Sequence, residues 1–201
     1  MPAAEDSTQP DFWNTRYAAG KMPWDLGGVP TTLRSFLARA KPPGRVLIPG
    51  CGSGYEVRAF HDAGFEVTAI DFSTAALERA RRILGQLRRC VIEGDFFTHD
   101  FRAQKFDLIY ERTFLCSLPP ARWPAYVKRM TELLAKGKIL AGIFLYGEEP
   151  EPPPYPLTEA QALELLSDDF ELIRNEPVSD SFRISSKSSL RSSSACASVR
   201  G

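Results

Sequence analysis

Hydrophobic positions in the middle of the chain follow two alternating patterns. Short runs rich in β-branched and aromatic residues predict strands, whereas apolar residues spaced three or four apart predict amphipathic helices. The first pattern predicts strands at residues 45–48, 65–70, 90–93, 106–110 and 138–146. The second predicts helices at residues 55–63, 73–84 and 119–134. Strands and helices therefore alternate over most of the chain.

The predicted helix at 73–84 shows the clearest local features. Ser73 can cap its first turn, because a side-chain oxygen at that position accepts a free backbone N–H. Its apolar side chains fall on a single stripe, formed by Ala76, Leu77, Ala80 and Leu84. The predicted strand at 138–146 is almost entirely apolar, which is typical of a strand covered on both faces.

Alternating strands and helices predict an α/β fold of the Rossmann-like type. Each strand–helix–strand unit makes a crossover, so the sheet is mostly parallel and carries helices on both faces. Ligands of such sheets bind where the carboxyl ends of the strands meet. Candidate site residues should therefore follow directly after strands.

Composition and charge narrow the class of protein. The chain has 201 residues, of which 43% are hydrophobic and 25% are charged, so it is not a wholly disordered protein. Its 25 basic residues equal its 25 acidic ones, so no net field gathers nucleic acid or anionic membrane. The longest apolar run, about 139–146, is far shorter than a membrane span, and the polar start does not resemble a secretory signal. We expect a cytoplasmic monomer with no nucleic-acid or membrane partner.

Cysteines and histidines are few and widely separated. No C-x-x-C pair occurs among Cys51, Cys90, Cys116 and Cys196, and the histidines are His61 and His99. This spacing favours neither a structural zinc site nor a disulfide framework, so we expect reduced thiols and no metal. Both histidines are interpreted as structural.

The two ends of the chain differ from its centre. Residues 1–40 contain two tryptophans and a Gly/Pro-rich stretch, whereas residues 179–201 are rich in serine and basic residues. Composition predicts that this tail is disordered, which gives one folded domain over residues 1–178. Past Ser181 no strand pattern is visible, so we expect the sheet to lack its last hairpin strand and to leave an exposed edge.

A glycine-rich turn follows the first predicted strand. Residues 47–54 read L-I-P-G-C-G-S-G, with glycines at Gly50, Gly52 and Gly54 directly before a predicted helix. Glycine allows tight backbone geometry and close approach of a ligand, and the helix start offers free N–H groups. The spacing differs from the G-x-G-x-x-G of dinucleotide folds, which disfavours a nicotinamide oxidoreductase. A simple turn is the alternative interpretation.

Carboxylates follow the next two predicted strands. Asp71 comes after the strand at 65–70, where an acid can hold the two hydroxyls of a ribose; a helix cap is the alternative. Asp95 and Phe96 follow the strand at 90–93, a position that suits adenine. There the alternative is a turn residue beside a core phenylalanine.

Glycines and two acids in this order form the arrangement of S-adenosylmethionine-dependent methyltransferases. Five segments make the resemblance closer: F-W-N-T-R-Y at 12–17, P-W-D at 23–25, I-P-G-C-G-S-G at 48–54, E-R-T-F-L-C-S-L at 111–118 and P-P-Y at 153–155. Together they resemble the thiopurine S-methyltransferase family, in particular its bacterial and plant thiol, thiocyanate and halide methyltransferases. The resemblance implies a class I methyltransferase fold with S-adenosyl-L-methionine as cofactor.

The resemblance also implies roles for individual residues. Three of them match aromatic positions that close over the cofactor, which makes residues 1–40 a lid: Trp13, Tyr17 and Trp24. Gly50 and the glycines after it would hold the methionine moiety, Asp71 the ribose, and Asp95 with Phe96 the adenine. Arg112 matches a position that faces both cofactor and substrate, and Tyr146 matches a tyrosine of the substrate pocket.

The resemblance implies a thiol or thiolate as the methyl acceptor, and the chemistry of these residues is compatible with it. A sulfonium cation is attracted by aromatic faces, and an aromatic lid excludes water from the nucleophile. A soft anion needs alignment rather than a strong base, and Arg112 can lower the pKa of an approaching thiol. A salt bridge with Asp107 or Glu111 is the alternative role of Arg112. Thiopurine, thiocyanate or halide, and selenium or tellurium oxyanions are alternative acceptors, and a catalytically impaired cofactor-binding homologue is a further alternative.

Overall fold

The computed structural model describes residues 6–42, 44–149, 151–178 and 191–200. The chain forms two compact units, Met1–Phe101 and Arg102–Gly201. Among the described residues, no helix has the length and apolar character needed to cross a membrane.

Within the described residues, the first unit contains four α-helices, one 3₁₀ helix (Gly85–Cys90) and a three-stranded parallel sheet. The helices are α1 (Pro10–Ala18), α2 (Thr31–Leu37), α3 (Tyr55–Asp62) and α4 (Thr74–Leu84). The strands are β1 (Arg45–Pro49), β2 (Glu66–Asp71) and β3 (Val91–Glu93), in the order β3-β2-β1. The pairs Pro49↔Ile70 and Asp71↔Glu93 bring the carboxyl ends of the strands to one edge.

Helix α4 confirms the local prediction in detail. Ser73 is its N-cap, and the Ser73 hydroxyl oxygen accepts a hydrogen bond of 3.1 Å from the backbone N–H of Ala76. The predicted apolar stripe is buried, and its last residue packs below the start of α3. A Cβ atom at Gly54 would lie 3.1 Å from Leu84, so this glycine also provides close contact between α3 and α4.

In the part of the second unit that the structure describes, two α-helices accompany four strands. The helices are α5 (Trp123–Leu133) and α6 (Glu159–Leu166). The strands are β4 (Phe106–Arg112), β5 (Leu134–Tyr146), β6 (Phe170–Val178) and β7 (Arg191–Val199), in the order β4-β5-β7-β6. Strands β4 and β5 are parallel, whereas β7 runs antiparallel to both β5 and β6. The last seven residues of β5 are buried, as its apolar sequence predicted.

Element boundaries differ from prediction where local patterns are weak. Strand β5 begins at Leu134 rather than residue 138, and two short 3₁₀ turns, Leu115–Ser117 and Pro120–Arg122, precede α5. Helix α6 was not predicted. It is short and leaves Leu163 exposed, so its stripe is weak, but Thr158 and Gln161 form a reciprocal capping box at its start.

The prediction of a disordered tail is wrong for residues 191–199, which form β7. This strand pairs with β5 on one side and β6 on the other, so both edges of its backbone find hydrogen-bonding partners. Such pairing can order a segment whose own sequence lacks a strand pattern. The expected loss of the last hairpin strand is therefore also wrong, and β6 rather than β5 is the edge strand of this unit. Residues 179–190 lie outside the described residues.

A fully buried carboxyl group lies at the end of β4. Glu111 Oε2 accepts hydrogen bonds from the backbone N–H groups of Phe114 at 2.7 Å and Leu115 at 3.0 Å. Burial disfavours the charged form more than these hydrogen bonds favour it, and it raises the pKa of Glu111 from 4.5 to about 8. Glu111 is therefore mostly protonated below that pH.

We expect Glu111→Gln to reduce the pH dependence of stability. Between pH 4.5 and about 8 the unfolded chain ionises Glu111 while the folded protein keeps the proton. The contribution of Glu111 to the free energy of unfolding is therefore fully present below pH 4.5. It falls by about 1.4 kcal/mol per pH unit as the pH rises from there to about 8. Glutamine imitates the protonated acid, so the variant should lose less stability in urea titrations between pH 5 and pH 8. The exposed Glu164→Gln is the control; equal slopes for wild type and Glu111→Gln would contradict the prediction.

We expect Gly142→Ala to destabilise the β4–β5 pair. A Cβ atom at Gly142 would collide with the backbone carbonyl oxygen of Glu111 and lie 3.0 Å from its Cγ. Because the nearest atom belongs to backbone, the strands must separate locally, at a cost of about 1–3 kcal/mol. Thermal and urea unfolding measure this loss. Gly28→Ala, whose Cβ meets nothing within 4 Å, should be nearly neutral, and equal stability of the two variants would refute the assignment.

Candidate active site

The glycine turn joins β1 to α3 through three left-handed residues. Gly50, Gly52 and Gly54 have φ angles of 56°, 52° and 74°, a region in which side chains are strained. Inside the turn, the Cys51 N–H donates to the Ile70 carbonyl at 3.2 Å, and the Gly54 N–H donates to the Cys51 carbonyl at 2.9 Å. The turn is therefore tied to β2 as well as to β1.

Asp71 holds this turn against the start of α4. Its Oδ2 accepts the Gly52 N–H and its Oδ1 accepts the Ser73 N–H, both at 2.9 Å. Burial raises the pKa of Asp71, while these hydrogen bonds act in the opposite direction. The backbone N–H of Phe72 contributes a third hydrogen bond in the same sense, and a carboxylate with four acceptor positions can accept a further hydroxyl group. Since Ser73 is the N-cap of α4, the helix-cap interpretation of Asp71 loses its main support.

Asp95 and Phe96 lie at the same strand edge but are engaged locally. The Gly94 N–H donates to the Asp71 carbonyl at 3.0 Å, which brings this segment beside the end of β2. Asp95 Oδ1 accepts the Phe97 N–H at 2.8 Å and closes a turn. Phe96 is only 3% exposed, so its ring packs in the core rather than forming an open wall. The geometry favours the turn interpretation for this pair.

The aromatic residues of the first 40 positions form one cluster. Trp24 lies between two partners, with ring centroids 5.4 Å from Trp13 and 6.0 Å from Tyr17, both in edge-to-face geometry. The Trp13 indole N–H donates to the Ser7 carbonyl at 2.8 Å. All three rings are half-buried, so parts of their faces remain open to a ligand.

Tyr17 places this cluster directly against the glycine turn. A Cβ atom at Gly52 would lie 2.6 Å from the Tyr17 hydroxyl oxygen, so glycine leaves the space that the tyrosine needs. Burial and the nearby charge of Asp71 raise the pKa of Tyr17 well above its usual range, which keeps the hydroxyl protonated. Turn, carboxylate and aromatic cluster thus meet within the first unit.

Sequence reasoning missed two residues that join these parts. Asn14 Oδ1 accepts hydrogen bonds from the Ser73 hydroxyl at 2.9 Å and the Ala75 N–H at 3.1 Å, so it docks α1 onto the start of α4. Asp25 Oδ2 accepts the Ser53 hydroxyl at 2.6 Å, within the glycine turn. Both lie beside the tryptophans of the F-W-N and P-W-D segments, and this adjacency was the available sequence clue.

The two residues predicted to act on the acceptor lie in the second unit. Arg112 ends β4 and Tyr146 ends β5, and because these strands are parallel their ends share one edge. Between them, Thr113 has a left-handed φ of 59°, which is rare for a β-branched residue, and its N–H donates to the Ile143 carbonyl at 3.0 Å. Asp107, one alternative partner proposed for Arg112, pairs with Lys138 at 3.0 Å.

All four cysteines are free thiols. Burial raises the pKa of Cys51 well above its usual range, so this thiol in the glycine turn stays protonated. Among the residues that the structure describes, no three His, Cys, Asp or Glu side chains come together as a metal site.

The chain is similar to named methyltransferases over most of its length. It is 35% identical over 156 residues to a probable thiol methyltransferase 2 of Arabidopsis thaliana, which covers 74% of this chain and 68% of that protein. It is 32% identical over 150 residues to thiocyanate methyltransferase 1 of Brassica oleracea, covering 71% and 66%. The chain thus spans about two thirds of the length of these relatives.

A solved structure confirms the predicted fold class. The 1,6-didemethyltoxoflavin-N1-methyltransferase of Burkholderia thailandensis superposes with a TM-score of 0.76 at 19% identity, covering 96% of this chain and 87% of that one. The α/β, Rossmann-like class I architecture with a mostly parallel sheet follows. The family described as thiopurine S-methyltransferase (TPMT) matches residues 8–197. The chain therefore belongs to the thiopurine S-methyltransferase family of S-adenosylmethionine-dependent methyltransferases.

Proposed function

We propose that this protein transfers the methyl group of S-adenosylmethionine to the sulfur of a small thiol or thiolate. The observation that carries this proposal is the meeting of three features in the first unit: the left-handed glycine turn, the Asp71 carboxylate and the aromatic cluster. The relatives named thiol and thiocyanate methyltransferases support a soft acceptor.

The residues of the first unit fit this cofactor in charge and in shape. Bound S-adenosylmethionine supplies an electrophilic methyl group on a sulfonium centre. Trp13, Tyr17 and Trp24 offer aromatic faces that attract a cation, by about 0.5–2 kcal/mol for each favourable contact. The Asp71 carboxylate would accept the ribose hydroxyls, and Gly50, Gly52 and Gly54 leave room for the methionine moiety. Asp95 closes a turn through Oδ1, but its side chain is exposed, so its carboxylate would still accept the adenine amino group beside the turn that carries Phe96.

The acceptor side requires little acid–base chemistry. A thiolate, thiocyanate or halide attacks as an anion, so the chain must hold it and exclude water rather than remove a proton. We assign the anion to the guanidinium of Arg112, which would also lower the pKa of a neutral thiol, and assign orientation to the Tyr146 hydroxyl. A thiopurine, thiocyanate or halide, or a selenium or tellurium oxyanion would use the same residues.

The proposal also includes expectations about the domain, the partners, the cellular location and the oligomeric state of the protein. Residues 1–40 would act as the cofactor lid of a single methyltransferase domain that includes strand β7. The balanced charge of 25 basic and 25 acidic residues favours a small-molecule acceptor over nucleic acid or a membrane. We further expect a cytoplasmic monomer. Light scattering on the purified protein would test the monomer directly.

We expect Asp71→Asn to weaken cofactor binding by roughly tenfold to a hundredfold, because a hydrogen bond to a charged group contributes about 1.5–3 kcal/mol. Asparagine keeps one oxygen for the glycine turn but loses the charge and one acceptor. Calorimetry with S-adenosylhomocysteine, the demethylated cofactor, measures the change. Asp62→Asn, on the exposed end of α3, is the control. Unchanged affinity of Asp71→Asn would remove the ribose assignment.

We expect Tyr146→Phe to lower turnover about tenfold while the affinity for S-adenosylhomocysteine stays constant, since one orienting hydrogen bond is lost. A headspace assay for volatile methyl products, over thiols, thiocyanate and iodide, measures turnover and identifies the acceptor class. Tyr126→Phe removes a different buried hydroxyl of the second unit and serves as the matched control. If the wild-type protein binds S-adenosylhomocysteine but methylates neither these acceptors nor a thiopurine, it is a catalytically impaired homologue.

A further inference from the structure

Four polar side chains in the first unit form a closed network that the proposed chemistry does not use. The Ser53 hydroxyl donates to Asp25 Oδ2 at 2.6 Å and accepts a hydrogen bond from Arg79 Nε at 2.9 Å. Arg79 Nη2 lies 3.3 Å from Asp25 Oδ2 and donates to the Tyr55 hydroxyl at 3.3 Å. Ser53 is therefore fixed from both sides, as donor and as acceptor.

The central ion pair of this network is well shielded on its acidic side. The Asp25 side chain is only 6% exposed, whereas that of Arg79 is 36% exposed. Burial opposes ionisation of Asp25, but the hydrogen bonds from Ser53 and the Gly27 N–H and the charge of Arg79 outweigh it and lower its pKa. Asp25 is thus charged at neutral pH, and a charge this buried depends on its partners far more than a surface ion does.

The network joins parts of the chain that are distant in sequence. Asp25 follows Trp24 directly, and Ser53 lies in the glycine turn between Gly52 and Gly54. Tyr55 is the first residue of α3, and Arg79 lies in the middle of α4. The backbone that carries Trp24 is therefore held to the turn and to both helices that follow it.

Trp24 is the ring that holds the aromatic cluster together. It contacts both Trp13 and Tyr17, which α1 supplies, whereas Trp24 itself lies in the Gly/Pro-rich segment between α1 and α2. Asn14 docks α1 onto α4 through Ser73 and Ala75, and these hydrogen bonds do not involve the segment around Trp24. The segment around Trp24 needs its own attachment, and Asp25 provides one.

We propose that Asp25 is a positioning residue which, through Ser53 and Arg79, holds Trp24 against the glycine turn and so keeps the cofactor lid closed. This inference rests on the proposed function, because it assumes that the aromatic cluster covers S-adenosylmethionine. The lid is preorganised by a buried charge rather than by the ligand, so cofactor binding does not have to order it. The consequence is a long residence time of the bound cofactor, since the lid must release this network to open.

Removing the ion pair should therefore change cofactor dissociation more than association. Asp25→Asn keeps the size of the side chain but removes its charge, and Arg79→Gln removes the other partner. We expect each variant to raise the Kd of S-adenosylhomocysteine about tenfold, mostly through faster dissociation, and the double variant to add little more. Arg81→Gln is the matched control, because Arg81 lies on the same helix and loses only an exposed ion pair with Glu93.

A spectroscopic measurement distinguishes positioning from a general loss of stability. Trp13 and Trp24, with rings 5.4 Å apart at 79°, should give an exciton-coupled circular dichroism band. We expect Asp25→Asn and Arg79→Gln to reduce this band in the folded, ligand-free protein, and Arg81→Gln to leave it unchanged. Trp24→Phe removes one of the two indoles, so its spectrum is the reference without Trp13–Trp24 coupling.

The outcomes separate this proposal from the proposed function. If wild type does not bind S-adenosylhomocysteine, the proposed function fails. If wild type binds it but Asp25→Asn and Arg79→Gln match Arg81→Gln in dissociation rate and coupling band, the positioning role is overturned. The positioning role is also overturned if these variants lose thermal stability but keep the wild-type dissociation rate and coupling band. Should Asp25→Asn not fold, Ser53→Ala, which removes the bridging hydroxyl and no charge, gives the same test with the same expected direction.

Discussion

The carboxylate of Asp71 is the interaction on which the rest of the site depends. It accepts one backbone N–H from the glycine turn and one from the start of α4, so a single side chain joins the turn, the end of β2 and α4. The left-handed conformation of Gly52 points its N–H at this carboxylate. The hydrogen bond from the Ser73 N–H to Asp71 also fixes Ser73, the N-cap of α4. The Ser73 hydroxyl in turn donates to Asn14, which attaches α1 to this point.

What the sequence could predict was local. Strands β1 and β2 and helix α4 follow from short-range periodicity, and the Ser73 cap follows from one residue type before an apolar stripe. The resemblance to a family predicted that Trp13, Tyr17 and Trp24 belong together, and their rings do form one cluster. These features depend on neighbours within a few positions or on a recognisable segment.

What the sequence could not predict depends on distant partners. Strand β7 exists because two other strands flank it, which its own serine-rich sequence does not reveal. The position of Phe96 after a strand suited adenine, but the burial of its ring, at 3% exposure, depends on the core around it. The role of Asp25 depends on Arg79, more than fifty positions away, and on a hydroxyl inside the glycine turn. A polar residue beside a conspicuous tryptophan was the only local indication.

The titratable residues are placed as expected for a methyl transfer that depends on alignment of the reactants rather than on a general base. His61 pairs with the adjacent Asp62 at the end of α3, and the His99 ring packs on Phe101, so neither histidine of the first unit is positioned as a general base. In the second unit, burial raises the pKa of Glu111 to about 8, so at neutral pH the residue preceding Arg112 is mostly uncharged. If Arg112 holds the acceptor as we propose, a neutral neighbour does not repel a thiolate, whereas an ionised one would. Nucleophile attraction would then weaken above that pH, even though more of the thiol is ionised.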